Sequence, residues 1–200
     1  KNNHKIQFDR TIDIIEKEVK YDLIVKKDKT KEVGTNSIQL IKESDFQSIM
    51  KHQNRNYSNL KNKNDIYYLT NKGAALFYES LENKEMSLPD ENKTFIINKQ
   101  YTDLLLNMQS TFDLVVVKDN AFNEFKTKEK MYKLRAIDIS NESTAITMSS
   151  DIENIVNKNM TFNFPFNFTS SITMYKTSLE TYGLMLFIGI FLSIIFLLCT

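Results

Sequence analysis

The chain has 200 residues, of which 42% are hydrophobic and 26% charged, globular proportions that exclude intrinsic disorder. Its 26 Lys and Arg nearly balance 25 Asp and Glu, and Arg occurs only at positions 10, 55 and 135, so the basic surface and guanidinium forks of a nucleic-acid binder are not expected. The single cysteine, Cys199, excludes disulfides and Cys-based zinc sites within the chain, and the Lys, Asn and Ile bias without Trp reads as an AT-rich bacterial genome.

In chain order, "FDRTIDIIEKEV" predicts a helix, because Phe8, Ile12, Ile15 and Val19 recur at helical spacing while Asp13 with Lys17 and Glu16 with Lys20 form i,i+4 pairs. "YDLIVKK" and "SIQLI" predict strands, with Gly34 and Asn36 marking the turn between them. "ESDFQSIMKHQ" follows as a short amphipathic helix, with Ser44 and Gln47 at capping-box spacing and Phe46, Ile49 and Met50 on one face. After a basic, Asn-rich loop, "DIYYLTNKGAALFYESL" predicts a hairpin turning at Asn71, Lys72 and Gly73.

"ENKEMSLPDENK" is an acidic loop, "TFIIN" a strand, and "KQYTDLLLNMQ" a helix by the spacing of Tyr101, Leu104, Leu105 and Met108. "DLVVVKDNAFNEFKTK" predicts a strand and then a helix capped by Asp119 or Asn120, with Phe122 and Phe125 buried. "KLRAIDI" is a further strand. In "SDIENIV", Ser150 and Glu153 form another capping box, with Ile152, Ile155 and Val156 facing inward.

The C-terminal "TYGLMLFIGIFLSIIFLLCT" carries no charge, and about 20 apolar residues at about 1.5 Å each cross a bilayer core. The expected organisation is an α+β domain over residues 1–170, with a mixed sheet and short amphipathic helices. A juxtamembrane stalk at 171–181 and a transmembrane helix at 182–200 follow, the latter including Tyr182, Gly183, Phe187, Gly189, Phe191 and Phe196. Because the chain begins without Met and stops at the end of a span, it is expected to be part of a larger membrane protein with another span before residue 1.

In "TFNFPFNFTSS", a period of two puts Phe162, Phe164, Phe166 and Phe168 on one face of an extended segment that Pro165 confines to a sheet edge. Three readings stand: core packing, contact with lipid headgroups, or an apolar groove for a lipid tail or the hydrophobic side of a peptide. Glu79, Glu82 and Glu85, at i,i+3 spacing, are candidates for a cationic peptide or divalent ion as well as for a solvated charged face. The basic segment from Lys51 to Lys63 similarly reads as an anionic-headgroup contact or an ordinary loop. His4 and His52, the two histidines, sit in no catalytic or metal motif, and there is no P-loop, nucleotide fingerprint or nucleophile elbow. No enzymatic activity, cofactor or metal is expected.

Taken together, "IQLIKESDFQSI", "DLVVVKDNAF" and "GLMLFIGIFLSIIFLL" resemble the large extracellular loop and following helix of BceB-type permeases, the membrane subunits of peptide-antibiotic resistance ABC transporters within the FtsX-like permease superfamily. The resemblance spans essentially the whole chain and is most specific in the final helix. It implies an extracellular domain of a multi-pass bacterial cell-membrane protein, paired with a cytoplasmic ATPase subunit that hydrolyses the ATP. It further implies recognition of antimicrobial peptides or their complexes with lipid-linked cell-wall precursors, and signalling to a partner sensor histidine kinase in many members. Two other classes fit the same organisation: the sensor domain of a histidine kinase or chemoreceptor, and an FtsX-like permease acting on lipoproteins or regulating cell-wall hydrolases.

Overall fold

A computed structural model describes residues 6–24, 26–70, 76–89, 92–103, 105–106, 113–126, 131–159 and 170–199. The chain forms two compact units, one of Phe8–Asp138 and one combining Lys1–Gln7 with Ile139–Thr200. The elements are β1 (Ile6–Ile24), β2 (Lys31–Lys42), α1 (Glu43–His52), β3 (Asp65–Leu69), β4 (Glu85–Leu88), β5 (Lys93–Tyr101) and β6 (Asp113–Val117). These are followed by α2 (Asp119–Lys126), β7 (Met131–Ile139), α3 (Glu142–Asn159) and α4 (Ser171–Cys199).

The mixed sheet of the α+β fold runs β2-β6-β3-β5-β4-β1-β7, and an additional β1–β2 pairing closes six of these strands into a barrel-like ring. β2–β6 and β3–β5 are parallel, whereas β6–β3, β5–β4, β4–β1 and β1–β2 are antiparallel. β7 flanks β1 outside the ring.

The predicted first helix is instead strand β1. Its even positions Ile12 and Ile14 belong to an outer core, joined by Phe8, while its odd positions Ile15, Val19 and Tyr21 belong to the barrel interior. The residues at 8, 12, 15 and 19 mimic a helical stripe because they are drawn from both faces of a strand that is apolar on each. Gly34 and Asn36 lie within β2, opposite Tyr21 and Val19. The actual turn is at 26–28, and the Thr30 N–H donates to Asp28 Oδ1 at 3.1 Å beside Lys29 in the left-handed region at φ 62°.

The predicted hairpin at 65–81 does not form, since β3 lies between β5 and β6 and Leu76 and Phe77 are helical. Every residue of β3 is buried, so it needs neighbours on both edges and packing on both faces, which a local hairpin does not provide. Tyr101, expected in a helix, closes β5; Leu104 and Met108 lie outside the described residues.

The strand-then-helix readings at β2–α1 and β6–α2 match the structure, and Phe122 and Phe125 are fully buried. Ser44 is not the cap of α1, which has Lys42 at that position without a side-chain bond. The Ser44 N–H instead donates to Asp119 Oδ1 at 3.0 Å, so the carboxylate capping α1 comes from the first residue of α2. Ser150 is likewise inside a helix, because α3 starts at Glu142 and Asn141 Oδ1 accepts the Thr144 N–H at 3.3 Å. Ile155, expected to face inward, is exposed.

Packing places apolar side chains on both faces of the curved sheet. Inside, Ile38, Leu40, Ile66, Val115, Ile97 and Met86 meet Phe122 and Phe125 of α2. Outside, Phe46, Ile49 and Met50 of α1 cover Ile41, Tyr67, Leu69, Leu114 and Val116. Along β6, Leu114 and Val116 therefore point outward while Val115 and Val117 point inward, which is why "LVVV" is a continuous apolar run rather than an alternating one. β3 opens on a compact turn in which Asp65 Oδ2 accepts the Asn62 N–H at 2.8 Å. Burial pushes the Asp65 carboxyl up, but hydrogen bonds from Asn62, Asn98 and Lys61 outweigh it and hold the group below its ordinary 3.8.

Phe125→Ala removes a fully buried ring from the interior and is expected to cost about 3–5 kcal/mol, against under about 0.5 kcal/mol for the exposed Val33→Ala, as read by chemical denaturation of the barrel's fluorescence or circular dichroism signal. Asp65's lowered pKa contributes stability above the unfolded value of about 3.9 that is lost as pH falls through the folded one. Asp65→Asn should therefore destabilise clearly at pH 6 and less as pH drops toward 3, measured as the gap between wild-type and variant denaturation midpoints; a gap independent of pH contradicts the assignment.

Candidate membrane-anchoring helix and the polar end of the barrel

α4 runs without a break from Ser171 to Cys199, 29 residues or about 43 Å. Lys176 and Glu180 are its last charges, and beyond them the helix is apolar on every side. It is long and apolar enough to cross a membrane, and none of its apolar stretch is buried within the structure, unlike the core helix of a water-soluble domain. Tyr182, Phe187, Phe191 and Phe196 are 72, 66, 55 and 73% exposed, and Gly183 and Gly189 face open space. Tyr182 stands one turn or less after the last charge, where an amphipathic ring suits the border between headgroups and hydrocarbon.

Three of the hydroxyls of α4 bond back to the helix itself. Ser178, Thr181 and Ser193 donate to the carbonyls of Met174, Thr177 and Gly189 at 2.8, 2.9 and 2.8 Å. In a bilayer Ser193 would have its donor already paired, which removes most of the desolvation cost of a lone polar group. In the same unit, α3 packs on α4, and Ser149 and Ser170 share a hydroxyl hydrogen bond of 2.8 Å.

The barrel interior carries a polar cluster at the end of β6 remote from α2. The Tyr68 hydroxyl donates to Asp113 Oδ2 at 2.5 Å, and Asn36 Nδ2 donates to the same oxygen at 2.9 Å. The Tyr21 and Tyr68 hydroxyls are 3.4 Å apart. Burial, followed by the Asp113 charge, raises the Tyr68 pKa, and burial raises that of Tyr21, so both phenols stay protonated and serve as donors. These four residues come from β1, β2, β3 and β6. Their convergence is a product of strand register, and no local spacing in the sequence announces it.

The sequence-predicted site residues are distributed differently. Phe162, Phe164, Phe166 and Phe168 lie outside the described residues. Glu79 pairs with Lys29 Nζ at 2.6 Å, and the Glu82 carboxylate accepts the Gln100 N–H at 3.0 Å, while Glu85 is exposed on β4. The three therefore share no helical face. In the basic segment, Lys63 bonds Glu124, Arg55 lies 3.6 Å from Asp103, and Gln53 Nε2 donates to the Leu105 carbonyl at 3.0 Å. His52 stacks on Phe8 and lies 2.8 Å from Asp138 Oδ2. No group of three or more His, Cys, Asp or Glu among the described residues is placed to hold a metal. A shallow polar groove of about 420 Å³ runs along β1 and β2, lined by Glu16, Glu18, Thr35 and Ser37 among others.

Comparison of the chain with protein-family models, curated proteins and solved structures gives no match in any of the three. The class that the fold and the helix define is an α+β barrel-like domain on a chain that also carries a membrane-length helix.

Placing a charge at the centre of α4 tests the anchoring role. Ile190→Lys should raise the free energy of insertion by about 3–4 kcal/mol relative to the isoleucine, and pairing it with Phe187→Lys should leave the helix uninserted in a glycosylation-mapping assay. Unchanged insertion of the double variant would exclude α4 as an autonomous span.

Proposed function

We propose that this chain is the extracellular recognition domain and adjoining membrane helix of a bacterial ABC transporter permease that protects the cell against peptide antibiotics. The observation that carries the reading is α4, which follows the folded α+β domain in the chain and is long and apolar enough to cross a membrane, with none of its apolar stretch buried. The arrangement of the two segments that resemble BceB-type permeases supports it as well. "IQLIKESDFQSI" forms the end of β2 and α1, and "DLVVVKDNAF" forms β6 and the start of α2. β2 and β6 pair in parallel from Ile38–Asp113 to Lys42–Val117, and Asp119 of the second unit caps α1 of the first. Two strand-helix units lie side by side.

In this reading the domain binds an antimicrobial peptide or its complex with a lipid-linked cell-wall precursor, and a separate cytoplasmic subunit hydrolyses ATP. A sensor histidine kinase is a further partner. Cationic peptide would meet the carboxylate of Glu85, with Glu79 and Glu82 requiring release from Lys29 and Gln100 to take part. The aromatic run Phe162 to Phe168 supplies the apolar contact.

The full chain in lipid nanodiscs should give saturable heat on titration with cationic antimicrobial peptides, alone or bound to lipid-linked precursor, and Phe164→Ala or Phe166→Ala should weaken it about tenfold without changing the circular dichroism spectrum. No saturable binding to any of these ligands would overturn peptide recognition and favour a domain that contacts protein partners.

A further inference from the structure

α1 is tied at each end to a carboxylate from another element. At its N-terminus, the Ser44 N–H donates to Asp119 Oδ1 at 3.0 Å, and Asp119 starts the helix whose Phe122 and Phe125 fill one end of the barrel. At its C-terminus, the His52 ring stacks on Phe8 with centroids 4.6 Å apart and planes 19° apart, and its Nε2 lies 2.8 Å from Asp138 Oδ2. Between the ends, Arg10 of β1 bonds Asp45 Oδ1 at 2.7 Å and Ser48 Oγ at 3.3 Å.

Phe8 and Asp138 are the residues at which the chain enters and leaves the barrel unit. They belong to adjacent strands, β1 and β7, which Arg135 fastens together by donating to both oxygens of Asp9 at 2.8 and 2.6 Å. Every covalent connection of this unit to the rest of the chain, including the membrane-length helix, therefore passes through a strand end that α1 holds. The buried face of Phe46, Ile49 and Met50 seats α1 on the sheet, so a pull on one end is not absorbed by a loose helix.

We propose that α1 is a strut coupling the ends of β1 and β7 to α2, so that displacement of the strands at Asp138 or Phe8 alters the seating of Phe122 and Phe125 in the barrel. The device does not depend on which ligand the domain takes. It gives β7, the strand leading toward the membrane helix, a direct route to the barrel interior through His52, α1 and Asp119. Such coupling is a shared free energy between two sites, and it is reciprocal.

A double-mutant cycle of His52→Ala and Asp119→Ala, read by amide hydrogen exchange on the full chain in nanodiscs, tests it. His52→Ala should accelerate exchange in α2, which His52 does not touch, and Asp119→Ala should accelerate exchange in β7. The combined change in local opening should differ from the product of the single changes by more than about twofold, the margin within which distant independent sites combine. Effects confined to each residue's own neighbours, multiplying within that margin, would overturn the proposal. If His52→Ala unfolds the barrel, Asp138→Asn keeps the side chain's shape while removing its charge and is held to the same two outcomes.

Discussion

Closure of the sheet at β1 is the constraint on which the rest of the barrel unit depends. A single strand of 19 residues pairs with β2 along Ile15–Ile24 and with β4 at Lys20 and Tyr21, so β2, the first strand of an otherwise open sheet, gains a second neighbour and loses its free edge. Closure creates an inside and an outside, and both need filling. The interior takes the odd residues of β1 and the outer core its even ones, which explains why β1 is apolar on two faces and why its pattern imitates a helix. With β1 in place, β3 and β6 become central strands buried on both sides, and α1 gains an apolar surface to cover.

The two ends of the barrel interior are finished by different chemistry. Near α2, the ammonium groups of Lys17 and Lys93 lie 5.7 and 4.8 Å from the Phe125 ring centre, and that of Lys42 lies 5.1 Å from Phe122. Their aliphatic stems pack on apolar surface while their charges face aromatic rings and, for Lys42 and Lys93, the carboxylates of Asp13 and Glu124. At the other end, neutral phenols and an amide converge on Asp113. One end thus brings cations to aromatic faces, and the other supplies donors to an anion, each using polar groups without leaving the charge to face hydrocarbon alone.

The barrel unit and α4 place their apolar side chains by opposite rules. In the barrel unit, large apolar side chains are turned into two cores and most charges are exposed. Along α4, the apolar side chains are exposed on every side and the hydroxyls of Ser178, Thr181 and Ser193 turn back to the helix backbone. Helical structure is unbroken from Ser171 onward, so residues 171–181 run into the apolar stretch without an interruption.

Some of this was legible from residues alone. The charge-free stretch after Glu180 was readable as a helix long and apolar enough to cross a membrane, because that property depends on composition summed over about 20 residues, with little dependence on partners. The β2–α1 and β6–α2 units were also readable, since Phe46, Ile49 and Met50, and then Phe122 and Phe125, each form a local apolar stripe beside a β-branched run. Pairing was not. The sequence by itself determined which segments are apolar, amphipathic or membrane-length. Tertiary structure decided that β1 is a strand, that Gly34 lies within one, that β3 pairs with β5 and β6, that Asp119 caps α1, and that Tyr21, Asn36, Tyr68 and Asp113 meet. Those outcomes depend on the free energy of contacts between residues far apart in the chain, 77 positions for Asn36 and Asp113 and 126 for Arg135 and Asp9, to which a local pattern carries no pointer.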